Sequence, residues 1–141
     1  MVMEYPVQMV VIMDKLPIIL RLIVNITVSM PKGVANNVVS NCSTGITGSD
    51  MVVTNNLVVN NKVRGIYSAH GGACITGNKV ISNTKYGIAI DDSRGKGWSV
   101  VSNNRISGSE YSIYLKKGID DKHGYFSVNG NCCVDFQIGG I

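Results

Sequence analysis

Apolar residues along this chain come in short runs broken by Asn, Gly and Ser, and none of the runs keeps helical spacing. Four segments align without gaps over eleven positions: 36–46 (NNVVSNCSTGI), 56–66 (NLVVNNKVRGI), 78–88 (NKVISNTKYGI) and 103–113 (NNRISGSEYSI). Each opens on Asn and closes on Ile, and the closing residues Ile46, Ile66, Ile88 and Ile113 lie 20, 22 and 25 residues apart. The fourth column reads Val39, Val59, Ile81, Ile106; the sixth Asn41, Asn61, Asn83, Gly108; the tenth Gly45, Gly65, Gly87, Ser112. A further apolar site recurs three residues before the opening Asn, at Val53, Ile75 and Val100. Every unit therefore offers three short strands separated by Asn or Gly corners.

A unit of this length cannot bury its own aliphatic side chains, but units stacked at the spacing of hydrogen-bonded strands turn each column into a continuous core. Asn at a corner tolerates a left-handed backbone, and its amide can donate to one neighbouring coil and accept from the other. The opening asparagines Asn36, Asn56, Asn78 and Asn103 and the sixth-column Asn41, Asn61 and Asn83 are accordingly read as corner residues and not as a binding motif. The predicted fold is all-β, a solenoid of five or six stacked coils, with 1–33 as a cap or degenerate coils and 34–141 as the repeats and a terminal coil.

Composition supports the pattern. Val (19) and Ile (16) far outnumber Leu (5) and Ala (4), so β-branched residues replace the good helix formers. The 141-residue length allows one domain. Net charge is +4, with no basic run interleaved with aromatics, which excludes a nucleic-acid surface. No apolar run is long enough to span a membrane. The segment from Leu16 to Met30 is interrupted by Pro17, Arg21 and Asn25 and is read as structural, leaving no clear signal peptide. Cys42, Cys74, Cys132 and Cys133 have no metal-ligand spacing and are read as small buried apolar residues.

The repeated N-x-V-I-x-N-x-x-x-G-I units over about 34–115 resemble the right-handed parallel β-helix of pectate lyases, polygalacturonases, alginate-type epimerases, NosD-like periplasmic proteins and phage tailspikes. The resemblance implies the architecture and an extracellular, periplasmic or virion-associated location. It says little of chemistry, since one scaffold hosts lyases, hydrolases, epimerases and inert spikes.

If the closing isoleucines point inward, alternation sends Thr47, Tyr67, Ala89 and Tyr114 outward, then Gly48, Ser68, Ile90 and Leu115 inward. The next outward column is Ser49, Ala69, Asp91 and Lys116, and beyond it Asp50, His70, Asp92 and Lys117 are too polar for a core, so the strand should end there. The loops that follow lengthen from coil to coil, which marks this edge as the place for function. Asp50, His70, Asp91 and Asp92 are the candidate catalytic residues, with Asp50 and Asp92 flanking His70 about 9.5 Å apart, two strand spacings, as in inverting glycosidases. Arg94, Lys96, Trp98 and Lys116 are the candidate substrate-binding residues. The Asp91–Asp92 pair suits either Ca²⁺, the one cofactor considered, or acid and base work, and the resemblance to pectate lyases, with acidic Ca²⁺ ligands and a basic residue, points to Asp91, Asp92, Arg94 and Lys96. Trp98 is placed to stack on a sugar or to cap the core, and Glu110 to form a cross-coil ion pair with Lys85.

Polygalacturonases pair two Asp residues with a Gly-His-Gly segment; here Asp91-Asp92, Asp120-Asp121 and His123-Gly124 match only in part, and the Asp-Pro-His segment of epimerases is missing. Two function classes follow: a polysaccharide-processing or polysaccharide-binding protein of lyase or hydrolase type, and a non-catalytic solenoid such as a tailspike, adhesin or spacer. A stack this short suggests a homotrimer or a larger parent chain.

Overall fold

The computed structural model describes residues 9–11, 26–28, 33–92, 98–117, 125–133 and 136–139, and these contain strands and turns but no helix. Two strands come first, β1 (Met9–Val11) and β2 (Ile26–Val28). The first full turn is β3 (Gly33–Ala35), β4 (Val38–Ser40) and β5 (Thr44–Gly48), and the second β6 (Val52–Thr54), β7 (Leu57–Val59) and β8 (Arg64–Ala69). The third is β9 (Cys74–Thr76), β10 (Lys79–Ile81) and β11 (Tyr86–Asp92), and the fourth β12 (Trp98–Ser102), β13 (Arg105–Ser107) and β14 (Tyr111–Lys117). A partial fifth turn has β15 (Tyr125–Asn129), a bridge from Arg105 to Cys132, and β16 (Phe136–Gly139).

Each strand pairs in parallel with the corresponding strand of the next turn, which is the predicted parallel β-solenoid. Sheet A runs β1-β2-β5-β8-β11-β14-β16, sheet B β15-β12-β9-β6-β3 and sheet C β13-β10-β7-β4. Among the described residues there are four full turns and a partial one, fewer than the five or six expected. None of the helices a membrane span requires is present among them.

The core is three sets of stacked columns. Sheet A supplies Ile46, Ile66, Ile88 and Ile113, all at 0% exposure, as expected. Sheet B supplies Val34, Val53, Ile75 and Val101, and sheet C supplies Val39, Val58, Val80 and Ile106. Two columns thus differ from the gapless alignment: Val58 and Val80 face inward in place of Val59 and Ile81, and Val101 in place of Val100. The reason lies in the corner between sheets C and A. It has three residues in the first and fourth turns (41–43, 108–110) and four in the second and third (60–63, 82–85), so the spacing on sheet C is 19, 22 and 26 where sheet A has 20, 22 and 25.

The same slip moves the asparagine ladder. The stacked residues are Asn37, Asn56, Asn78, Asn104 and Asn131, not Asn36 and Asn103. In each step the Oδ1 of the next Asn accepts both the backbone N–H and the side-chain amide of the one before; Asn56 N and Nδ2 lie 3.0 and 2.9 Å from Asn78 Oδ1. The residue before each rung takes the left-handed backbone: Asn36, Asn55, Gly77, Asn103 and Gly130 all have φ between 55° and 66°. A second ladder at the C–A corner runs from the Cys42 N–H to Asn61 and from Asn61 to Asn83, below left-handed Asn41, Asn60 and Ser82. Ladder and left-handed turn are therefore separate jobs on adjacent residues, and they satisfy amides that burial would otherwise leave unpaired.

Of the cysteines, Cys42 is buried, Cys74 and Cys133 are half-buried and Cys132 is exposed, so the reading of all four as buried fails for Cys132, which lies on the edge of sheet C. All four are free thiols.

Candidate functional site

Pairing on sheet A skips the column Gly45, Gly65, Gly87 and Ser112. There the alternation breaks, since glycine and the following isoleucine are both buried. Added to Gly65, a Cβ would meet the Gly87 carbonyl at 2.6 Å and Val80 Cγ1 at 2.8 Å, so this position lies hard against sheet C and takes only a minimal side chain. The break turns the preceding residues Arg64, Tyr86 and Tyr111 to the outer face, beside Tyr67 and Tyr114.

The result is an aromatic surface. Tyr86 stacks on Tyr111 at 5.6 Å and meets Tyr114 at 4.8 Å, while the Arg64 guanidinium sits 4.5 Å from the centre of the Tyr67 ring and 6.0 Å from that of Tyr86. Between Tyr67 and Tyr114, which belong to one outward column, the third turn has Ala89. This small residue leaves a groove of about 200 Å³, with Tyr67, Tyr86 and Tyr114 around it and Asp91 and Lys116 at its rim. Those two form an ion pair at 3.5 Å across adjacent strands. The charge of the neighbouring Glu110 carboxylate holds the Tyr111 phenol above its ordinary pKa. Lys85 lies over the Tyr86 ring at 5.3 Å, so the expected Lys85–Glu110 ion pair is replaced by contacts of each with a tyrosine.

Of the sequence candidates, the structure brings Asp91 and Lys116 together at this groove. Asp92, the next residue of β11, points the other way and is 0% exposed, its carboxylate packed against Gly71. Its strand does not end before this column, because a glycine with φ 75° leaves space for the carboxylate. With Asp91 outward and Asp92 inward, the two carboxylates do not face one cation, and among the described residues no three His, Cys, Asp or Glu side chains gather to hold a metal. His70 stands next to Asp92, its N–H donating to the Asp91 carbonyl at 2.6 Å, and its Nδ1 is buried without a hydrogen bond. Asp50 is not in that column. Its N–H donates to the Gly71 carbonyl, which sets it beside Gly72, because two extra residues separate Ser68 from Cys74 relative to Gly48 and Val52. Trp98 opens β12 on another face, is 69% exposed and stacks on Tyr125 at 5.1 Å; it does not cap the core. Arg94, Lys96, Asp120, Asp121 and His123 lie outside the described residues.

Arg64, Tyr86 and Tyr111 escape sequence reasoning because strict alternation back from the isoleucines would bury them. The glycine one residue before Ile46, Ile66 and Ile88, with the small Ser112 before Ile113, is the signal of the break.

Compared with known protein families, residues 22–131 match the model described as periplasmic copper-binding protein (NosD). The chain belongs to this family. No curated protein and no solved structure matches it. NosD membership agrees with the parallel solenoid and with the periplasmic option among the expected locations. Copper, named in the description of the NosD family, is usually held by Cys, Met and His. Here Cys42 sits at the C–A corner of the first turn, Cys74 on sheet B of the third and Cys132 at the edge of sheet C in the fifth, so these three thiols do not converge, and among the described residues no three His, Cys, Asp or Glu side chains gather.

Proposed function

We propose that this member of the NosD family is a carbohydrate-binding solenoid that holds an extended polysaccharide against the outer face of sheet A without cleaving it. The observation that supports this is the tyrosine groove. Rings at 4.8 to 5.6 Å spacing offer flat apolar faces for the C–H side of sugar rings, and Arg64, Asp91 and Lys116 at its edge offer hydrogen bonds to hydroxyls. Binding without hydrolysis is the reading supported by the dispersal of the described carboxylate candidates. Asp92 is buried away from the groove, Asp91 is tied to Lys116, and Asp50 lies round the corner beside Gly72. A glycosidase needs two carboxyl groups facing the same bond.

The test is retention on immobilised acidic, neutral and amine-bearing polysaccharides, followed by chain-length analysis of each glycan after incubation. At least one glycan retards the protein and none is shortened, and Tyr86→Ala weakens retention about tenfold. Lack of retention on every glycan, or an unaltered Tyr86→Ala variant, overturns the binding role; shortening overturns its non-catalytic character.

A further inference from the structure

We infer that the exposed Trp98–Tyr125 stack, with Asp50 one turn beyond Gly72, forms a second subsite, which takes a protonated amino group carried on a sugar. This rests on the glycan-binding reading of sheet A and narrows it to an amine-bearing polymer, a hexosamine chain.

On sheet A two of the rings already have a cation of this chain against one face, Arg64 over Tyr67 and Lys85 over Tyr86. Sheet B is different. Trp98 and Tyr125 are 69% and 60% exposed, their ring planes lie within 29° of each other, and no cation of the described residues lies over either ring. Tryptophan is the best of the aromatic partners for a cation.

The second element is charge. Carrying the Cys74↔Val100 pairing back two residues sets Gly72 opposite Trp98, and the Asp50 carboxylate is packed against Gly72 from the turn on the other side. Gly72 has no side chain of its own to fill the place that the Asp50 carboxylate takes beside it. Asp50 is exposed, and among the described residues it has no ion-pair partner. A ring stacked on the indole could thus turn a protonated amine toward Asp50, meeting a π face and a carboxylate at once. A neutral sugar would use the indole alone.

The site also lies next to the groove. Asp91 at the groove rim pairs with Ala69, three residues before Gly72, so one polymer passing round this corner would reach both surfaces.

The experiment compares free-amine glucosamine oligomers with their N-acetylated counterparts at low salt and at a pH where the amine is protonated. Wild type, Asp50→Asn, Trp98→Ala and Tyr86→Ala chains are titrated with both, and melting is followed to confirm folding. Asn suits the positive φ of 49° at position 50, so Asp50→Asn removes the charge and keeps the turn. The free-amine oligomer is expected to bind about tenfold tighter than the acetylated one, the combined scale of an exposed cation–π contact and an exposed ion pair. Asp50→Asn should cut that preference to about threefold, the cation–π share, and leave the acetylated oligomer within about twofold, a surface substitution of this kind having little other effect, while Trp98→Ala should weaken both and lower the preference to about threefold, the ion-pair share. Equal affinities for the two oligomers, or a preference undiminished in Asp50→Asn, overturns the amine subsite and leaves the tyrosine groove standing. A Tyr86→Ala chain that binds both oligomers like wild type overturns the groove reading alone, and failure of wild type to bind either overturns the subsite itself.

Discussion

The corner between sheets B and C has two residues in every full turn, whereas the corner between sheets A and B grows from 49–51 and 70–73 to 93–97 and 118–124. The difference is one of what each corner must satisfy. At the constant corner a left-handed residue is followed by a ladder Asn whose amide must meet its neighbours in register, so one extra residue would put the rung out of reach. At the growing corner the strands enter and leave in register whatever lies between them, and chemistry collects there: Asp50, His70, Asp91, Asp92 and Trp98 all lie in or beside it. Invariance marks what holds the fold, and freedom in length marks where it can be used.

Insertion sharpens this contrast most. Two glycines placed between Gly77 and Asn78 should unfold the chain or cost several kcal/mol, because the rungs above and below lose their partners; the same pair placed between Gly95 and Lys96 should cost under about 1 kcal/mol, the scale of lengthening a loop. Denaturant midpoints of the two chains decide it, and equal losses would erase the distinction. Next in size is Asn78→Ala, which strips the acceptor from Asn56 and the donors from the Val53 and Thr76 carbonyls, for an expected loss of about 3 kcal/mol in chemical denaturation. A loss below about 1 kcal/mol would mean that the ladder is incidental to the fold.

On the groove side of the molecule, Ala89→Phe should fill the groove between Tyr67 and Tyr114 and lower glycan retention about tenfold, at a cost of about 1 to 3 kcal/mol in stability because Ala89 is nearly buried. Retained binding would move the ligand off this face. The smallest effect concerns Cys42, whose thiol donates to the Ser40 carbonyl and whose pKa burial pushes up from 9.0 to about 11. In the unfolded chain this thiol ionises first as pH rises, so the unfolded state holds fewer protons between pH 9 and 11 and stability falls across that window. Replacement by Ala should flatten the slope of stability against pH there; an unaltered slope would assign it to other groups.

Much of the fold was legible because stacking repeats one requirement in every turn: the isoleucine column and its outward neighbours Tyr67, Ala89 and Tyr114 read directly from the spacing. The off-by-one columns on sheets B and C escaped for a specific reason. Asn36-Asn37 and Asn103-Asn104 are doublets, so an alignment shifted by one residue still finds Asn, although one member of each pair takes the left-handed turn and the other the rung. At the site, Asp91 and Lys116 were reachable by alternation, but the tyrosine surface needed the break at the glycine column, and the burial of Asp92 depended on Gly71 in a neighbouring turn, which no count along one strand reveals.

The ladder also has a mechanical side. Its amide-to-amide bonds connect one turn to the next, as the sheet bonds do, so a pull that separates the turns loads side-chain and backbone bonds together. A polymer tugging on the outer face would thus meet a stiff rod whose turns cannot easily slide apart. Spacing between the tyrosine rings of sheet A would stay fixed under load, as on a ruler.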